Sequence, residues 1–200
     1  MRWILLFLPL LFFGCTSNTT GEQLPSAPAP IIQAPPVWIK YSNDIFSFDY
    51  PADMVAKSET GLFSGVRYLP SPYGYQPAET LTIVYTNTSE KYGPNQNSIY
   101  LDNPTKTTTD FLLDDRKNDS MTILLRGYEL GNVTEFTIAE RFYVAQLSFK
   151  LSDFNTVYHG YALSIFIPEN SMHLNVRLVA LDPNIAYNMK EAILRSLRLV

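Results

Sequence analysis

An α+β domain built on an antiparallel β-sheet flanked by helices is the fold class that this chain of 200 residues predicts, and three observations carry it. Apolar and polar residues alternate with period two in several short segments, the signature of half-buried strands. In the C-terminal half, five such segments follow one another through short polar turns, which places neighbouring strands antiparallel. The chain then closes on an amphipathic stretch whose apolar residues recur at helical spacing.

The N-terminus supplies an address rather than a fold. Arg2 precedes an apolar run from Trp3 to Phe13, followed by Gly14 and the only cysteine, Cys15. Eleven residues of helix reach about 17 Å against roughly 30 Å of bilayer hydrocarbon, so a processed signal over 1–14 fits better than a membrane span. Leu11, Gly14 and Cys15 resemble a prokaryotic lipoprotein signal, with Phe12 and Phe13 standing where that family has a branched aliphatic and a small residue. The resemblance implies a lipid-modified, palmitate-bearing Cys15 and a cell-membrane protein facing the extracytoplasmic side. A lone cysteine forms no internal disulfide, so its thiol is lipidated, free or paired between chains. An ordinary cleavage site is harder to find, because Ala27 and Ala29 are each followed by proline. Residues 15–37 read as a Pro/Ser/Thr-rich tether with five prolines from Pro25 to Pro36, long enough in polyproline geometry to span roughly 70 Å.

Residues 38–200 read as one globular domain. Trp38–Tyr41 and Ile45–Pro51 form a pair of extended segments around a Ser42-Asn43-Asp44 turn, with Phe46, Phe48 and Tyr50 on one face and Ser47 and Asp49 on the other. Leu62–Leu69 and Thr80–Thr86 read as strands. The segments Pro70–Glu79 and Glu90–Thr107, rich in Tyr, Gly and Pro, read as irregular loops, and Ser64-Gly65 as a turn. Their tyrosines, Tyr73, Tyr75, Tyr92 and Tyr100, suit sugar or peptide contacts or else serve as a lid on the sheet. A short helix is expected over Thr108–Asn118 with a threonine as N-cap. Strands follow at Thr122–Leu130, Glu135–Ala139, Arg141–Leu151, Thr156–Pro168 and Met172–Leu181. In the last, Met172, Leu174, Val176 and Leu178 face the core and His173, Asn175 and Arg177 a wetter side. Asp182-Pro183 then caps a helix whose stripe is Ile185, Met189, Ile193 and Leu197, widened by Ala192 and Leu194.

Composition narrows the function classes. The formal net charge is -4, and removal of 1–14 takes away only Arg2 among the charges. A mildly acidic chain without a basic stripe argues against nucleic acid as a partner. The carboxylates Asp114, Asp115 and Asp119 lack the order and the glycine of a calcium loop and read as a solvated helix face. Only two histidines, His159 and His173, are available to a metal, and no metal or other cofactor is expected. His159 shares a face with Tyr161, Leu163 and Ile165, where a core histidine is the ordinary reading. No G-x-S-x-G or H-E-x-x-H motif occurs, and no particular carboxylate pair suggests itself. Four N-x-[ST] sequons, at Asn18, Asn87, Asn118 and Asn132, are possible N-glycosylation acceptors in a glycosylating cell.

The aromatic hairpin leaving through Tyr50 and Pro51, the mid-chain loops and helix, the meandering strands and the terminal NMKEAILRSLRL segment together resemble the PsbP-like domain over about Trp38–Val200. The resemblance implies an antiparallel sheet sandwiched by helices and a binding, assembly or stabilising role. The first expectation is therefore a membrane-anchored extracytoplasmic lipoprotein with no catalytic activity, engaging another envelope protein or complex. The alternative is an extracytoplasmic enzyme that acts on glycans or peptides through the Tyr-rich loops and holds a carboxylate pair or a Ser/His pair in a concave pocket.

Overall fold

The computed structural model describes residues 37–71, 74–118, 128–153 and 156–200. The signal peptide, Cys15, the tether, Asn18, Tyr73, Asp119 and residues 122–127 lie outside the described residues. An eight-stranded, wholly antiparallel sheet forms the middle layer, in the order β3-β4-β5-β10-β9-β8-β6 with β7 also paired to β8. The strands are β3 (Val55–Glu59), β4 (Leu62–Ser71), β5 (Gly74–Asn87), β6 (Tyr128–Leu130), β7 (Thr134–Ile138), β8 (Phe142–Asp153), β9 (Thr156–Ile167) and β10 (Met172–Ala180). One face is covered by a three-stranded sheet, β1 (Trp38–Ser42), β2 (Phe46–Pro51) and β11 (Arg198–Leu199), together with helix α3 (Pro183–Ser196). The other face carries α1 (Thr88–Asp102) and α2 (Pro104–Asn118). The α+β class and the antiparallel sheet flanked by helices are thus the observed architecture.

Period-two alternation explains the layering. In β10 the burial pattern alternates without a break, and Met172, Leu174, Val176 and Leu178 join the main core with Leu163, Ile165 and Ile167 of β9. Phe46 and Phe48 of β2 enter the same core, where Phe48 meets Phe63 edge to face at 5.1 Å between ring centres. Helix α3 lays Ala186, Met189, Ile193 and Leu194 onto it. Asp182 caps that helix by accepting from the Asn184 amide at 2.7 Å, with Pro183 at the first helical position. Gly160 of β9 leaves room that no side chain could share: a Cβ there would lie 2.4 Å from both the Leu178 carbonyl oxygen and the Phe149 ring. The ring of its cross-strand partner Phe149 fills that space instead.

Several segments differ from the sequence reading. Pro70–Glu79 is not a loop: β4 and β5 continue pairing out to Ser71 and Gly74. Pro77 is tolerated there because β10 pairs with β5 only from Glu79 onward. Gly65 likewise lies within β4, against the Met54 side chain, and is no turn. Glu90–Thr107 is helical. Asn87 caps α1 by accepting from the Ser89 and Glu90 amides, and the helix breaks at Gly93 (φ 78°) and resumes at Pro94, whose missing N–H costs nothing at a helix start. Helix α2 begins four residues earlier than expected, capped by Asn103, whose Oδ1 accepts from the Lys106 amide at 3.1 Å, and not by a threonine.

Candidate functional site

The two layers do not end together. On β7 and β8, Phe136, Ile138, Phe142, Val144 and Gln146 share the face turned toward α3, as their pairing register requires. Helix α3 lies over β9 and β10 and stops short of this sheet edge. The uncovered strip is a cleft of about 750 Å³. Its floor is apolar: Phe136, Ile138 and Phe142 from the hairpin meet Leu194, Leu197 and Leu199 from α3 and β11. Four basic side chains line it, Arg141, Lys190, Arg195 and Arg198, against one acidic side chain, Glu191. The cleft is therefore cationic on a chain whose net charge is -4.

Each cation is held in place, Arg195 by its Nη2 donating to Glu191 at 3.3 Å. Arg141 Nε donates to Glu169 at 2.8 Å. Arg198 Nη1 donates to the backbone carbonyls of Arg195 (2.9 Å) and Leu197 (2.6 Å), positive charge at the helix C-terminus as the dipole favours. Lys190 is only 6% exposed, with its ammonium 4.5 Å above the Tyr187 ring, 4.9 Å above Tyr161 and 3.0 Å from Glu191. The hydrogen bond from Lys190, aided by the charges of Lys190 and Arg195, holds the Glu191 carboxyl below the usual carboxylate range. Gln146 also lines the cleft, and its buried Oε1 accepts no hydrogen bond. An orphaned buried acceptor costs roughly 1–3 kcal/mol.

Strain marks the cleft mouth. The β7–β8 turn is closed by Arg141 N donating to Ile138 O at 3.1 Å, and both central residues, Ala139 (φ 49°) and Glu140 (φ 57°), are left-handed without being glycine. This is the mirror-image turn that matches strand twist, normally filled by Asn-Gly. The cost is of order 1 kcal/mol per residue.

The residues singled out from the sequence lie elsewhere. His159 lines a second, smaller cavity of about 310 Å³ with Glu129, Ser148 and Lys150, and is half-buried rather than a core residue. His173 pairs with Phe166 and His159 with Ala180, seven register positions apart on adjoining strands, so the two cannot share a metal. Among the described residues, no group of three His, Cys, Asp or Glu converges as a metal cage. The face of His173 is wetter than the core face, as expected, though only half-exposed: His173, Asn175 and Arg177 are half-buried, and the Phe111 ring of α2 sits 4.4 Å from the imidazole. Burial, with help from the Lys91 charge, pushes the His173 pKa down to about 3. A Ser/His pair does exist, Ser164 Oγ to His173 Nε2 at 2.9 Å, but Ser164 is fully buried and lines neither cavity. Tyr92 and Tyr100 pack with Phe111 over the same sheet face and serve as its lid, whereas Tyr75 stands 77% exposed in the β4–β5 hairpin. Of the sequons, Asn87 is the α1 cap, Asn118 ends α2, and Asn132 is exposed between β6 and β7.

No protein-family model and no curated protein sequence matches the chain. Among solved structures it is similar to the Ran-binding protein Mog1p of Saccharomyces cerevisiae, at 7% identity and a TM-score of 0.52, over 83% of this chain and 97% of that one. A Pseudomonas aeruginosa protein of unknown function aligns over 77% of this chain and 90% of its own at 12% identity, with a TM-score of 0.39. At such identity the likeness to Mog1p concerns the fold, an antiparallel sheet with three helices packed against it.

Proposed function

We propose that this chain is an extracytoplasmic lipoprotein, anchored through Cys15, whose domain binds another envelope protein and performs no catalysis. The observation that carries the binding role is the cleft: an apolar floor and a cationic lining at the end of the sheet. Mog1p, which shares the fold, is a Ran-binding protein, so the fold is compatible with a protein-binding task. The signal-like Leu11–Cys15 segment and the proline-rich residues 16–37 support the anchor and its spacer.

A photocrosslinking side chain placed at Phe136 in the full-length protein, in its native membranes, tests this reading. A discrete protein adduct is expected, lost when Arg195→Glu and Arg198→Glu are combined, and none is expected from the same probe at Tyr75. An adduct with lipid alone, or equal labelling from both positions, would defeat the binding-module reading. In the same cells Cys15→Ser should shift the protein out of the membrane fraction; unchanged membrane retention would defeat the anchor.

A further inference from the structure

The cleft is bordered by strand edges, and this bears on what kind of protein segment it accepts. Among the described residues, β7 is hydrogen-bonded on one side only, to β8, and β11 on one side only, to β2. Both supply lining residues. β7 is a strand of five residues, Thr-Glu-Phe-Thr-Ile, with no Lys, Arg or Pro, and its first four residues are exposed. Natural sheets protect such edges with lysine, proline or bulges. The opposite edge does so: β3 is fully exposed but carries an ion pair between Lys57 and Glu59. The outer face of β7 is tied down, because Thr109 Oγ1 on α2 donates to Glu135. What stays open is its edge and the cleft-side strip bearing Phe136.

Resting on the binding-module reading, we infer that the cleft receives an extended acidic segment of the partner, added as a further strand along β7. Two features point to this occupant. An unpaired edge recognises a peptide backbone through main-chain hydrogen bonds. The excess of cations in the lining selects carboxylates. Because strand side chains alternate, apolar and acidic side chains share the face of the segment that enters the cleft, toward Phe136 and Ile138 on one side and Arg195 and Arg198 on the other.

The probe is a fluorescein-labelled peptide of about ten residues in which Leu and Glu alternate on one face and Thr fills the other. Fluorescence anisotropy with the full chain should show saturable binding that weakens with added salt. Replacing each Glu by Lys, or N-methylating every second amide, should weaken it about tenfold or more, as should Arg195→Glu with Arg198→Glu. Arg195 has an 80% exposed side chain, so these variants should fold, and an unchanged melting curve checks it. Binding that ignores the charge reversal or the N-methyl groups overturns the inference. So does occupation of the cleft by phosphatidylglycerol vesicles in place of the peptide. A protein crosslink from Phe136 without peptide binding would overturn the acidic strand alone and leave the binding-module reading standing.

Discussion

At its β3 edge the large sheet ends in a strand that is exposed on every residue, carries a lysine and a glutamate in mutual contact, and is tied to the small sheet by a Tyr41–Ser58 hydroxyl contact at 3.0 Å. At its β7 edge it ends in two threonines, a phenylalanine, an isoleucine and Glu135, beside an apolar, cation-lined cleft. The first edge is closed to further strands by a lysine, whereas the one charge of the second, Glu135, is held toward α2 and leaves that edge available. Equal exposure therefore does not mean equal availability. What separates the edges is the chemistry of four or five side chains and whether the covering layer reaches them.

The sharpest way to break this comparison is to remove the support of one edge. Phe142 is 4% exposed and floors the cleft from β8, so Phe142→Ala should lower unfolding stability by about 3–4 kcal/mol. Val55→Ala at the β3 edge, 70% exposed, should stay within about 0.5 kcal/mol. Urea unfolding of both variants measures the contrast, and equal losses would mean that the edges are supported alike.

The middle of the sheet provides a reference common to both edges. His173 is neutral in the folded protein because burial lowers its pKa to about 3, while in the unfolded chain it titrates near 6.5. Between those values the unfolded state binds the extra proton, so the stability His173 contributes is full above about pH 6.5 and is lost as pH falls toward 3. The expected loss by pH 3 is about 4 kcal/mol. Comparing the pH dependence of urea midpoints for the native chain and His173→Gln isolates it; identical slopes would contradict the account.

Exchanging edge chemistry is a smaller and more specific perturbation. Phe136→Lys gives β7 a protecting lysine like that of β3 and should weaken acidic-peptide binding about tenfold, with stability changed by less than about 0.5 kcal/mol. Unaltered affinity would show that the β7 edge is not the recognition element. Smallest of all, Glu140→Gly relieves one left-handed residue of the β7–β8 turn and should raise Tm by about 2–4 °C, readable by calorimetry.

Much of the fold was legible in the sequence wherever one face of an element is buried and the other is not. The strand β10 and the helix α3 follow their alternation or their stripe, because a single buried face imprints a period on the chain, whereas β2 keeps Phe46 and Phe48 in the core with Ser47 buried between them. β3 leaves no such imprint, since all its residues are exposed. Helix α1 was hidden by Gly93-Pro94, which reads as a turn and is in fact the joint between two helical pieces, and by a polar composition that buries only Thr88 and Asn97. Those two are joined to the β9–β10 turn through Ser171, a contact across 83 positions that no local pattern encodes. The cleft was illegible for the same reason. Phe136, Arg141 and Gln146 are ordinary residues of a hairpin, and Lys190, Arg195 and Arg198 are ordinary cations near a helix end. Only the register of β7 on β8 and the reach of α3 bring them together. The tyrosine-rich segments drew attention because their composition is conspicuous, yet Tyr92 and Tyr100 pack against Phe111.

Amide hydrogen exchange on the full chain, with and without the Leu/Glu peptide, compares the two edges within one molecule. The account predicts added protection at the amides of Thr134–Ile138 and none at Val55–Glu59, reversed by Arg195→Glu with Arg198→Glu. Protection at the β3 edge, at both edges alike or at neither would contradict it.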